Sequence, residues 1–409
     1  FKKARGSFGG HYTVWYKYYE SNMAGTTGVD RLVGSWWDEN ITGSESADYL
    51  YGNNGADVIY GEAGDDFIEG GDGADYLYGG AGSDVIEGAG GSDIIDGGAG
   101  DDRISTGEGA DQVIAGAGNN VIIAEFGNNI IAADDGDNQI QAGSGNDQVA
   151  VGAGDNVINL GNGDNLLTAG DGANKIVSGD GDDEITVGDG DNQIDSGSGA
   201  DEIVAGDGSN FIYSGEGNDQ ITVGDGSNQI YAGSGDDIIE VGAGDNEIYL
   251  GTGNDQLTVG AGNNVIIAEA GDNVITVMAT SGNIDPLPDQ ASLSPTSPEA
   301  GSKKIEVESS YDPLPDEIEV VDALSYSPLE GESESGVAEG EDGSGEGQVV
   351  FTSIKTSDGN DNITISDGNS FIDAGDGNDV VILSDGDHEL IAGDGDKNIR
   401  ISEGNSDIT

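Results

Sequence analysis

The chain of 409 residues carries 80 acidic side chains against 12 basic ones, a formal charge of -68, with 74 glycines, two histidines and no cysteine. Such a charge disfavours nucleic acid as a partner, and the lack of cysteine excludes disulfide scaffolds, thiol nucleophiles and thiolate zinc clusters. Neither His11 nor His388 stands in an HExxH motif, no stretch is apolar for long enough to span a bilayer, and the first residues show no apolar signal core.

Residues 1–24 are basic and aromatic, with Lys2, Lys3, Arg5 and Lys17 beside Phe1, Phe8, Tyr12, Trp15, Tyr16, Tyr18 and Tyr19. They read either as a cap on the chain's own first coil or as a strand that docks on a neighbour. Over residues 25–276 a nonapeptide, xGxGx(D/N)x(I/V/L)x, repeats 28 times without a slip of register. Its eighth position is apolar in every copy, from Leu32, Ile41 and Leu50 to Leu257, Ile266 and Ile275, and its fourth is Gly except at Trp37 and Ser46. Residues 277–349 hold every proline, a duplicated DPLPD and a Glu/Gly/Ser run from Gly331 to Gly347; they read as an acidic insertion or linker. Two short alternating stretches there, Lys304 to Glu308 and Glu317 to Val321, are expected to pair as strands. In residues 350–409 repeats resume in a new register at Thr356, with Asp361, Ser370, Asp379, His388, Lys397 and Ser406 at position six. The expectation is a second, shorter β-roll that packs on the first.

Copies such as Gly70 to Tyr78 (GGDGADYLY), Gly79 to Glu87 (GGAGSDVIE) and Gly97 to Ser105 (GGAGDDRIS) resemble the haemolysin-type calcium-binding (RTX) repeat family. The resemblance implies an all-β fold, a parallel β-roll or calcium-binding β-solenoid. The first six residues of each copy would form a turn that binds Ca2+, and the last three a short strand.

The residues support the same reading on their own. Glycines two apart permit close backbone approach, the Asp that follows adds carboxylate oxygen to turn carbonyls, and hard oxygen donors select a hard cation. Two nonapeptides make an 18-residue coil with a turn on each edge, so 28 copies give 14 coils spanning roughly 65 to 70 Å. Carboxylates stacked one coil apart repel by roughly 1 kcal/mol in water and about 3.5 kcal/mol at an effective dielectric near 20. Folding is therefore expected to be coupled to bound calcium.

Read at period 18, position six divides into two edges. One begins with Asp30, Asp48, Asp66, Asp84 and Asp102, then becomes wholly amide from Asn120 to Asn264. The other runs Glu39, Asp57, Asp75, Asp93 and Asp111, then Asp147, Asp183, Asp201, Asp219, Asp237 and Asp255, interrupted by Asn129, Asn165 and Asn273. These aspartates, with Asp361 and Asp379 of the last repeats, are the candidate metal ligands. Stacked Asn either forms a hydrogen-bonded amide ladder or merely dilutes charge while tolerating the left-handed turn. Position one, Gly in the early copies, becomes Ala, Val, Leu or Ser from Ala115 onward, which is expected to widen the core. Tyr213, Tyr231 and Tyr249 share position nine at period 18 and should stack outward on one sheet.

No catalytic residue is assigned, because the regular spacing of acids suits metal ligation and no βαβ unit follows the GxG pairs. Two readings of function follow. One is a calcium-dependent structural protein of the cell surface or extracellular matrix, similar to repeat-dominated surface proteins of filamentous cyanobacteria of the oscillin type. The other is the calcium-binding portion of a secreted enzyme, toxin or adhesin. The expected partners are further copies of the chain, head to tail or lateral, and a cell-surface polysaccharide or protein.

Overall fold

A computed structural model describes residues 13–15, 22–278, 351–357, 359–402 and 406–408. Among these, 37 short strands and no helix are present. Each strand pairs in parallel with the strand one coil before and after it, so Ile41, Ile59 and Leu77 align in one sheet and Leu32, Leu50 and Ile68 in the other. Successive strands alternate between the two sheets. The chain is thus a flattened solenoid of 18-residue coils, with a sheet on each face and a column of turns on each edge.

The three-residue strand motif explains the core. Side chains alternate across a strand, so positions seven and nine point outward when position eight points inward. Ile41, Ile104, Ile158 and Ile194 accordingly have no exposed surface. From Ala115 onward position one joins them, with Val187, Leu250 and Val259 at 3 % exposure or less, so the widened core is realised. Strand length changes at the same place. Early strands such as Val58–Ala63 run six residues into the turn, whereas later ones such as Gln139–Gln141 stop after three.

Turns of adjacent coils lie almost in contact, which is why glycine predominates at positions two and four. At Gly71, with φ at 110°, an added Cβ would fall 1.9 Å from the Asn53 carbonyl oxygen; at Gly73 it would fall 1.6 Å from that of Gly55.

The second, shorter roll is not a separate body. Val265 pairs with Ser353 and Ile275 with Ile363, in the same two sheets and the same parallel sense. The backbone N–H of Ser353 donates to Asn264 at 2.8 Å, and that of Asn362 to Asn273 at 2.7 Å. Partners at this junction lie 88 residues apart instead of 18, so one coil contains an excursion of 70 additional residues. Seventy is not a multiple of nine, so the change of repeat phase reflects an interrupted coil. The resumption also begins one copy before Thr356, since Thr352 and Ile354 are buried at positions six and eight.

At the other end the solenoid begins before Gly25. Thr13–Trp15 pairs with Asp30 to Leu32, and Asn22–Ala24 with Asn40 to Thr42. The remainder of residues 1–24, and the strands and acidic run expected within residues 277–349, lie outside the described residues. With 19 strands in the longer sheet, the rod is roughly 85 Å long at the usual strand spacing.

Candidate metal-binding edges

Position six closes each turn and directs its side chain inward: Asp57, Asp75 and Asp93 are at most 1 % exposed. One carboxylate oxygen has a fixed task. The backbone N–H of Asp57 donates to Asp75 Oδ1 at 2.7 Å, that of Asp75 to Asp93 Oδ1 at 2.8 Å, and that of Asp93 to Asp111 Oδ1 at 2.8 Å. On the opposite edge Asp66 donates in the same way to Asp84, and Asp84 to Asp102.

The other oxygen has no such partner. Oδ2 of Asp57, Asp66, Asp75, Asp84, Asp93, Asp102 and Asp111 is buried and accepts no hydrogen bond, and so it is with Asp147, Asp201, Asp219, Asp237, Asp255 and Asp361. A buried charged oxygen without a partner is strongly destabilising, so this recurrence calls for a counter-charge. Glycine at position one leaves room beside it. A Cβ added to Gly52 would sit 2.4 Å from both Asp57 Oδ2 and the Gly70 carbonyl oxygen of the next coil. Carboxylate and carbonyl oxygen therefore flank one small space, a donor set that suits a hard divalent cation. No cluster of three or more ligating side chains exists among the described residues, so a cation here depends on main-chain oxygens.

The electrostatics point the same way. Burial, reinforced by the charges of Asp75, Glu39 and Asp38, pushes the Asp57 carboxyl up to about 7 despite the hydrogen bond from the Glu39 backbone. Burial, with Asp75 and Asp111 adding their charges, likewise raises Asp93 to about 7. Asp255 rises to about 7 and Asp102 to about 6 for the same first reason, and Asp75 and Asp84 are also raised. A cation between the coils would reverse the sign of this local field.

Elsewhere the chain either supplies the counter-group itself or replaces the acid, using four kinds of side-chain group. Hydroxyls serve at the first three turns: Thr26 Oγ1 donates to Asp30 Oδ2 at 3.0 Å, Ser35 Oγ to Glu39 at 2.5 Å, and Ser44 Oγ to Asp48 Oδ2 at 3.0 Å. Ser178 Oγ does the same for Asp183 Oδ2 at 2.5 Å. Amides serve along the Asn edge. Asn174 Nδ2 donates to the carbonyls of Gly170 and Gly172, at positions two and four of its own turn, and to Asn192 Oδ1 at 3.0 Å. That side-chain ladder continues from Asn138 to Asn264, so the amide column is a bonded one. An ammonium serves at Asp379, whose Oδ2 lies 2.7 Å from Lys397 Nζ. An imidazole serves on the opposite edge, where His388 Nδ1 lies 2.9 Å from Ser370 Oγ and both residues are buried.

Of the candidate ligands, Oδ2 of Asp30, Asp48, Asp183 and Asp379 thus already has an internal partner and Oδ2 of the other thirteen has none, although at Asp201, Asp219 and Asp361 the hydroxyls of Ser196, Ser214 and Thr356 moderate the upward pull of burial on the carboxyl. The glycine cradle at position one adds a further distinction that composition alone did not reveal. It accompanies Asp57, Asp66, Asp75, Asp84, Asp93 and Asp102, whereas Ala142, Ala232 and Leu250 precede Asp147, Asp237 and Asp255.

The model of the RTX calcium-binding nonapeptide repeat matches residues 38–278 in overlapping blocks, and residues 355–387. The chain belongs to the RTX repeat family. Its repeats are therefore of a calcium-binding type, and its β-solenoid is a non-catalytic repeat fold. A comparison with curated proteins finds no match. No helix among the described residues is long and apolar enough to cross a membrane.

Proposed function

We propose that this RTX chain is a calcium-dependent structural protein of the cell surface or extracellular matrix, whose rods assemble into fibres or sheets. The observation that carries the calcium part is the column of buried, unpartnered Oδ2 atoms on the acid edges. Each proposed site takes Oδ2 of an aspartate and turn carbonyls. The six aspartates that combine a glycine cradle with an unpartnered Oδ2, Asp57 to Asp102, would bind most tightly, followed by Asp111, Asp147, Asp201, Asp219, Asp237, Asp255 and Asp361. The bound ion neutralises carboxylates stacked one coil apart and joins adjacent turns, so binding free energy becomes folding free energy. High calcium outside cells and low calcium within would then confine the folded rod to the extracellular side.

The assembly part rests on shape and repetition. A solenoid ends in strands whose outer N–H and C=O groups are available for pairing, and a head-to-tail contact need not close. The flat faces offer a lateral surface bearing aromatic columns. Tyr231 and Tyr249 stack with centroids 4.6 Å apart, and Tyr60 and Tyr78 at 4.8 Å.

Circular dichroism and light scattering in calcium-free buffer and in millimolar calcium test both parts. The expected result is a β signal that is weak without calcium and rises strongly with it, and large, elongated particles only in its presence. A β spectrum that ignores calcium removal would overturn the coupling, and a protein that stays monomeric at every concentration in calcium would overturn assembly.

A further inference from the structure

Lys397 occupies a place that no other lysine or arginine occupies among the described position-six residues. The repeat calls there for Asp or Asn, yet its side chain is only 9 % exposed and faces an Asp379 side chain with no exposure. Its Nζ lies 2.7 Å from Asp379 Oδ2, 2.9 Å from the Gly375 carbonyl oxygen, 3.0 Å from that of Gly377 and 3.2 Å from that of Asp394. Gly375 and Gly377 are positions two and four of the turn that Asp379 closes. The carbonyls at the same two repeat positions, Gly170 and Gly172 in the case of Asn174, are the ones that the amide column addresses with Nδ2. Two unrelated donor groups thus converge on one spot, defined by two turn carbonyls and the position-six side chain.

We propose that Lys397 is a tethered cation that closes the last described acid-edge site, so that the end coils hold together without calcium while a divalent-cation site lies latent beneath the ammonium. The inference rests on the reading that the open acid-edge sites bind calcium. A surface ion pair is a poor alternative, because four acceptors surround an almost buried ammonium and three of them are main-chain oxygens. The ammonium also matches the surroundings in charge: it brings one positive charge to one carboxylate. The opposite edge at this end requires no metal either, since Thr352, Ser370 and His388 replace acids there. Past Asn273, Asp361 is the one described aspartate with an unpartnered, buried Oδ2.

Hydrogen exchange on the full chain in calcium-free buffer tests the proposal. Amides of Val380 to Leu383 and Asn398 to Ile401 should stay protected while those of the Asp57 to Asp111 coils exchange freely. The Lys397→Ala variant should lose that end protection at least about tenfold, and recover it in millimolar calcium while binding one more ion by equilibrium dialysis. Lys397→Asn, which copies the amide column, should retain protection without gaining the ion. Unchanged end protection in Lys397→Ala, or no added ion, would overturn the proposal. Calcium-insensitive exchange throughout the wild-type array would instead overturn the calcium reading, and the loss in Lys397→Ala would still decide the role of the lysine.

Discussion

A carboxylate at position six serves two chemistries at once, with Oδ1 held by a backbone N–H and Oδ2 left to a counter-group. Replacing one oxygen by an amide should therefore have opposite effects in two buffers. Asp93→Asn should stabilise the calcium-free fold by about 1–3 kcal/mol, because it removes a buried unpaired charge, and should lower the melting temperature in calcium by removing a ligand. Calorimetry of the variant with and without calcium reads both signs, and equal shifts in the two buffers would refute the assignment. Asn192→Asp is the converse: it breaks the amide column and should destabilise the calcium-free state by about 3–5 kcal/mol. Protons should compete for the same oxygen. Without calcium, Asp57 titrates near 7 in the fold against an ordinary value of 3.8, so the folded state holds more protons between those values. Stability of the calcium-free roll is then greatest below about 4 and falls as the pH rises toward 7. In calcium the dependence inverts, because acidification displaces the ion; melting followed by circular dichroism across that pH range distinguishes the two.

At the scale of the element, most of the architecture was legible because the repeat states it directly. The invariant apolar residue at position eight gave the inward strand face, and Asp102 followed by Asn120 to Asn264 marked the change from charge to amide on one edge. Less legible were contacts that skip along the repeat. The hydroxyls of Thr26, Ser35 and Ser44 lie at position two, where glycine is usual, and their donation to position six becomes evident only when the turn is folded. Lys397 likewise reads as a decayed repeat until its side chain is seen reaching back one coil. The glycine at position one carries its own prediction. Gly52→Val would place carbon in the space flanked by Asp57 Oδ2 and the Gly70 carbonyl, so it should abolish one site, although Val187 is well accommodated in the amide half. Calcium stoichiometry by equilibrium dialysis should fall by one with the β signal retained in saturating calcium; unchanged stoichiometry would argue against the cradle. On the outer face, Tyr231→Ser removes the middle of an aromatic column and should cost about 1 kcal/mol in calcium.

For the whole molecule, the sequence concealed a continuity. A break of phase beyond Thr276 reads as the start of another roll, yet an excursion of 70 residues shifts the phase while leaving the stack intact. Removing residues 279–348 restores an 18-residue spacing across the junction. That variant should melt in calcium as one unit with the parent, whereas two separate transitions would contradict a shared stack. The account as a whole depends on where the ions lie. Anomalous diffraction from crystals grown in millimolar calcium locates them directly. Peaks are predicted beside Asp57, Asp75, Asp93 and Asp111 on one edge and Asp66, Asp84 and Asp102 on the other, continuing beside Asp147, Asp201, Asp219, Asp237, Asp255 and Asp361, with none along Asn138 to Asn264 or at Lys397. Ions distributed evenly along the amide column, or missing beside Asp57 to Asp111, would contradict it.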